Sequence, residues 1–167
     1  MFALSGCGGS NTSSKTNSTT ASQGATETGT AEAAQKARFV TAAERICAKL
    51  STEEKPLKAR QEVLKSQEAG PAETTFVSLA QQVVTISRKA LASLEKLPRP
   101  PKQAAAIATL MSIYSDQITD VNDLATAVAN RESTSGEGAD SALKRAVTAS
   151  EGLARTYGVT GCTTGGA

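Results

Sequence analysis

Histidine and tryptophan are absent from this chain of 167 residues, and aromatic residues make up only 3% of it. Without histidine, the chain lacks the usual general base and the commonest metal ligand of proteins. The scarcity of aromatic side chains leaves few surfaces on which nucleic-acid bases stack. The composition therefore argues against a histidine-dependent enzyme and against a nucleic-acid-binding protein.

Strong charge and long apolar runs are also missing. The formal net charge of +2 is too small to indicate a polyanionic partner. No apolar run is long enough for a transmembrane helix. The chain contains no phosphate-binding glycine loop, no dinucleotide fingerprint and no serine-nucleophile motif. We therefore predict no enzymatic activity, no metal and no cofactor.

The N-terminal part is too polar to contribute to a core. From Gly8 to Thr30 it consists almost entirely of Ser, Thr, Gly, Asn, Gln and Ala. Such a segment cannot bury enough apolar surface to offset the entropy lost on ordering. We predict a disordered tether over residues 7–34, a helical domain over 35–162 and a disordered tail over 163–167.

The first predicted helix opens near Gln35 with apolar residues at helical spacing. Pro56 disfavours helical geometry in the residue before it. Ser51 and Glu54 have the spacing of a capping box. The helix is therefore predicted either to kink or to restart at this point, and to end near Gln67.

Three further helices follow, and no strand is indicated. The second begins at Pro71 and ends before Pro98, and the third spans about 102–130. A polar loop over 131–140 leads into the fourth, which stops at Gly158. Long helices joined by short connections favour antiparallel neighbours, so we predict an all-α, up-down-up-down four-helix bundle.

Cys47 and Cys162 are the two cysteines of the predicted domain. Cys47 lies on the apolar face of the first helix, and Cys162 follows the fourth. In an up-down-up-down bundle the fourth helix ends where the first begins, which permits a disulfide if the two Cα atoms come within about 7 Å. The alternative is a buried thiol at Cys47 and an exposed one at Cys162.

The chain opens with Leu4-Ser5-Gly6-Cys7, an apolar residue and two small residues before a cysteine. This resembles the lipobox of bacterial lipoproteins, in which the cysteine is lipidated after the preceding segment is removed. The resemblance implies that residues 1–6 are the remnant of a signal peptide and that Cys7 is a lipid anchor. A complete signal also has a charged region and an apolar region, so we expect further signal residues to be encoded upstream of Met1.

The stretches RFVTAAERICAKL and LARTYGVTGC are similar to small, helical, secreted or lipid-anchored proteins of high-GC Gram-positive bacteria. The similarity supports the helical fold, the disulfide and an extracytoplasmic location, and it implies no activity. It assigns structural roles to Phe39, Ile46, Cys47, Tyr157, Gly158 and Cys162.

Two charged faces were weighed as binding sites. Asp116, Asp120 and Asp123 share one helical face and could hold a hard cation, although a solvated face is the simpler explanation. A basic face on the first helix could approach anionic head groups or wall polymers, or could be merely solvated. It comprises Lys36, Arg38, Arg45 and Lys49.

Two functions remain open from the sequence. The first is a binding or structural module that the lipid on Cys7 holds on the extracytoplasmic face of the cell membrane. Its partner would be an envelope protein or polymer. The alternative location for this module is outside the cell, as a secreted protein. The second is an envelope carrier of a small apolar ligand. A carrier requires an apolar pocket of a few hundred Å³ with a few polar groups. Ser87, Thr109 and Ser150 are candidates to line it.

Overall fold

The computed structural model describes residues 23–64, 71–159 and 161. The described part of the chain forms four α-helices and one short 3-10 turn, and it contains no strand. The helices are α1, Gln23–Leu64; α2, Pro71–Glu95; α3, Ala104–Asn130; and α4, Ser133–Tyr157.

Successive helices pack against each other, α1 on α2, α2 on α3 and α3 on α4. The predicted up-down-up-down bundle is confirmed. Its core combines the middle of α1 with the second half of α2, the first half of α3 and the residue after α4. The largest contributions come from Phe39, Cys47, Leu50, Leu94, Ile107, Met111, Tyr114 and Val159.

Helix α1 begins earlier than the predicted start near Gln35. Its first residue is Gln23, so the stretch 23–34, which the composition placed in the tether, is helical. Alanine, the strongest helix former, occupies several positions from 31 to 37. Glu32 also forms an ion pair with Lys102, which follows α2. Local propensity and this contact together extend the helix beyond its first buried residue, Phe39.

The predicted capping box at Ser51 and Glu54 is wrong, because α1 continues through both residues. Pro56 lies inside this single helix. Proline has no N–H for the helix ladder and normally kinks or breaks a helix. Leu50 is buried before Pro56 and Leu57 is partly buried after it, so packing on both sides favours a continuous helix.

Helices α2 and α3 agree with prediction to within a few residues. Pro98, Pro100 and Pro101 separate them, and Pro101 opens a 3-10 turn that leads into α3. Helix α3 ends with Arg131 in the left-handed region, at φ 58°. The N–H of Glu132 then donates to the carbonyl of Ala127 at 2.9 Å, which closes the last turn in the manner of a Schellman motif.

Helix α4 begins at Ser133, whereas the sequence predicted a loop over 131–140. A Cβ on Gly136 would lie 3.8 Å from that of Ala127. Small residues therefore let α4 approach α3 closely along the stretch whose composition resembles a loop. The predicted stop at Gly158 is confirmed: its φ is 75°, and the N–H of Val159 donates to the Ala154 carbonyl at 2.9 Å.

Candidate functional site

The two ends of the bundle differ in how completely they are filled. At the end formed by Phe39, Leu94 and Val159, the remaining cavity measures about 30 Å³. At the opposite end a cavity of about 230 Å³ lies between all four helices. Its apolar lining includes Leu57, Phe76, Leu79, Ala80, Val83, Val84, Ile118, Val121, Leu124, Leu143 and Val147.

The cavity exists because α1 and α4 do not close against each other. Among the described residues, these two helices form no extended interface. Leu57 and Gln61 of α1 line the cavity on one side, and Leu143 and Val147 of α4 line it on another. Gln61 is exposed, and Leu57, Leu143 and Val147 are partly exposed. The cavity therefore reaches the surface beside these residues.

Glu54 is the buried acidic residue of the cavity wall. Its side chain is 6% exposed, and Oε2 lies 3.4 Å from Nζ of Lys58, which is 54% exposed. The ammonium group thus reaches water while partly neutralising the carboxylate from the rim. Buried carboxylates require such a charge partner or a hydrogen-bond donor. The wall therefore carries a charge pair rather than an isolated negative charge.

Tyr114 lies on α3 and also lines the cavity. The residue is 7% exposed, and its phenolic oxygen forms no hydrogen bond of acceptable geometry to a described residue. Burial raises the pKa of Tyr114 to about 12, the neighbouring Ser87 hydroxyl lowers it in part, and the charge of Glu54 raises it. The phenol is therefore a neutral hydrogen-bond donor at physiological pH.

A buried hydrogen-bond chain joins α3 to α4 next to the cavity. Nε2 of Gln117 donates to Oγ of Ser150 at 2.7 Å, and Oγ of Ser150 donates to the Val147 carbonyl at 2.9 Å. Buried polar groups with partners fix the relative position of the elements that carry them. This chain fixes α4 against α3 beside the cavity.

The three polar residues suggested for the pocket have different positions. Ser87 lines the cavity, as predicted. Ser150 borders the small opposite space and reaches the main cavity only through Gln117. The prediction for Thr109 is wrong: it is exposed, and its hydroxyl donates to the Ala105 carbonyl one turn earlier. Many exposed threonines of these helices bond in the same way.

Glu54 and Gln117 are site residues that the sequence reasoning missed. Glu54 follows Cys47 and Leu50 at spacings of seven and four residues, which continues the apolar stripe of α1. Gln117 likewise lies three residues after Tyr114 on the buried side of α3. A polar residue at a position where the helical spacing predicts an apolar one indicates a buried polar side chain, and both residues have this pattern.

The aspartates of α3 do not form a cation site in the described part of the chain. Asp116 and Asp123 are exposed, and Asp120 is partly buried. Burial raises the pKa of Asp120, the charges of Asp116 and Asp123 raise it further, and Arg145 lowers it. No group of acidic or cysteine side chains within the described residues could hold a metal ion.

The basic face of α1 is mainly exposed. Arg38, Arg45 and Lys49 lie at the surface, and Lys36 is partly covered. Nζ of Lys49 is 3.9 Å from Oε1 of Glu53, so an exposed acid offsets part of this charge. These positions are those of a solvated face.

Cys47 is buried, with 1% of the residue exposed. Cys7 and Cys162 lie outside the described residues, as does the C-terminal tail. Gly161, which precedes Cys162, is described, and a Cβ built on it would lie 3.6 Å from Cβ of Cys47. The segment after α4 therefore returns to the middle of α1.

Comparison of the chain with protein-family models, curated proteins and solved structures finds no match. Within the described residues, none of the helices combines the length and the apolarity needed to cross a bilayer.

Proposed function

We propose that this protein is a lipid-anchored envelope protein that carries a small, largely apolar molecule in the cavity between its four helices. The observation that carries the proposal is the cavity of about 230 Å³, with apolar walls from every helix and a few polar groups. Ligand pockets of proteins combine these features. A purely structural bundle would gain stability by filling the space.

The size of the cavity limits the ligand. An engineered apolar cavity of about 150 Å³ holds a benzene molecule, and drug-sized pockets begin at about 300 Å³. A volume of about 230 Å³ lies between these values. It suits one or two rings or a medium-length alkyl chain.

Matched substitutions test the binding function. Ala80 is buried and lines the cavity, whereas Ala125 is equally buried and borders no described cavity. 1-Naphthylamine, a neutral two-ring probe whose fluorescence shifts in apolar surroundings, should bind the wild-type protein with saturation. Ala80→Leu should fill the space and weaken probe binding at least about tenfold. Ala125→Leu should destabilise the fold without this selective loss of affinity. Absence of saturable probe binding to the wild type would contradict the carrier function.

The membrane location and the disulfide belong to the same proposal. Lipid on Cys7 would hold the protein at the extracytoplasmic face of the membrane, and a Cys47–Cys162 bridge would suit that oxidising compartment. The approach of Gly161 to Cys47 supports the pairing.

Intact mass spectrometry of protein from its native host tests both modifications. The expected mass begins at Cys7, carries a diacylglyceryl group and increases by about 2 Da on reduction. A mass that begins at Met1, with three free thiols, would overturn the anchor and the disulfide. That result would not bear on ligand binding, which the probe experiment tests separately.

A further inference from the structure

The polar groups of the cavity are concentrated where three helices meet. Glu54 of α1, Ser87 of α2 and Tyr114 of α3 are each buried and each line the cavity. The Ser87 hydroxyl and the charge of Glu54 both act on the phenol of Tyr114. Most of the remaining wall is aliphatic or aromatic. A ligand in this cavity thus meets one polar cluster and an apolar volume.

The phenol of Tyr114 supplies an unused donor. No acceptor of suitable geometry is present among the described residues, although the oxygen is buried. A buried polar group without a partner is costly. A ligand oxygen that accepts from this O–H would remove the cost.

Glu54 supplies a hydrogen-bond acceptor, because a carboxylate accepts hydrogen bonds and donates none. Lys58 neutralises it from the exposed rim at 3.4 Å. An anionic head group beside Glu54 would be repelled, and a cationic one would compete with Lys58 for the carboxylate. A neutral group that donates a hydrogen bond avoids both costs.

We propose that the ligand is an apolar molecule with a hydroxyl head group, which accepts a hydrogen bond from Tyr114 and donates one to Glu54. A hydroxyl is the smallest neutral group with both capacities. This inference rests on the proposed carrier function and specifies its ligand class. It places the hydroxyl at the polar cluster and the hydrocarbon part among the residues contributed by α2, α3 and α4.

A series of eight-carbon compounds tests the head group by displacement of 1-naphthylamine. The series contains 1-octanol, octanoate, octylamine and 1-methoxyheptane, an isomer of octanol that accepts but cannot donate. We expect 1-octanol to bind at least about tenfold more tightly than octanoate and about fivefold more tightly than 1-methoxyheptane. Octylamine should also bind more weakly than octanol.

Conservative variants assign the preference to the two residues. Glu54→Gln should reduce the discrimination between octanol and octanoate to about threefold or less, since the repulsive charge is gone. Tyr114→Phe should weaken octanol binding about fivefold relative to any change in the affinity for the probe. The matched controls are Glu53→Gln, at an exposed neighbour, and Tyr157→Phe, at a tyrosine outside the cavity wall. Both controls should retain the wild-type preference.

The outcomes separate this inference from the function on which it rests. If the probe does not bind, the carrier function itself fails. If the probe binds and all four compounds displace it equally, the function stands and the hydroxyl preference is wrong. Tightest binding of octylamine would also overturn the inference, because Glu54 would then act as a counter-ion for a cation.

Discussion

The backbone N–H of Gly161 donates to both carboxylate oxygens of Glu44, at 3.0 and 3.1 Å, although 117 residues separate the two in sequence. Glu44 lies one helical turn before Cys47 on α1. The bond therefore brings the segment after α4 across to α1 at the filled end of the bundle. The opposite end, where the same two helices stay apart, contains the cavity.

Removing this bond should weaken the closure of the bundle. Glu44→Ala is expected to lower the free energy of unfolding by about 1 kcal/mol, because a partly exposed, charge-assisted hydrogen bond is lost. Glu53→Ala removes an equivalent charge whose partner, Lys49, is exposed and 3.9 Å away, and should cost less than about 0.5 kcal/mol. Urea denaturation measures both values. Equal losses for the two variants would show that the bond to Gly161 contributes no specific stability.

Reduction should destabilise the protein more than any single surface substitution. On the loop-entropy model, a Cys47–Cys162 bridge contributes about 4–5 kcal/mol. Thermal unfolding with reductant should then occur roughly 10–20 °C lower than without it. Cys162→Ser should reproduce the reduced value, and Cys7→Ser should not. A Tm that is insensitive to reductant in the wild type would argue against the bridge.

Two glycines of α4 should respond oppositely to the same substitution. A Cβ at either Gly152 or Gly158 would meet no atom within 4 Å, so neither change causes a clash. Gly158 has φ 75°, and Gly158→Ala should cost about 1 kcal/mol because alanine is strained there. Gly152 is inside the helix, and Gly152→Ala should stabilise by up to about 1 kcal/mol. Denaturant titration of the two variants measures whether the change in the free energy of unfolding is negative at Gly158 and positive at Gly152, as their backbone conformations predict.

Alkaline pH should destabilise the fold through Tyr114. Its folded pKa is raised from 10.0 to about 12. Below pH 10 both the folded and unfolded forms are protonated, so the contribution is fully present. Between pH 10 and 12 the phenol of Tyr114 loses its proton in the unfolded state but keeps it in the folded state. The free energy of unfolding should therefore fall by about 2–3 kcal/mol over this range.

The difference between wild type and Tyr114→Phe isolates this loss from the titration of lysines. Parallel pH profiles for wild type and Tyr114→Phe would mean that the phenol ionises as easily when folded as when unfolded.

Several features followed from local physics and were predictable. The apolar stripes at helical spacing indicated four helices and no strand. The prolines around position 100 and the glycine at 158 marked helix ends, since each restricts or permits backbone angles irrespective of its neighbours. The order of long helices and short connections was enough to predict the bundle.

Other boundaries depended on partners distant in sequence. Helix α4 begins at Ser133, where Gly136 packs beside Ala127 of α3, and a Gly- and Ser-rich stretch gives no local sign of that contact. Glu54 was predicted to belong to a capping box because it lies three residues after Ser51. The helix continues through both residues, so Glu54 faces the cavity instead of capping a helix.

The sequence by itself determined the helical class, the number of helices and the helix ends that proline or glycine marks, because these depend on periodicity and on the backbone limits of single residues. Only the tertiary structure decided that one end of the bundle is filled and that the other encloses a cavity with Glu54, Ser87 and Tyr114 together. These residues lie on three different helices. Their proximity is a property of how the helices pack, and no single stretch of sequence encodes it.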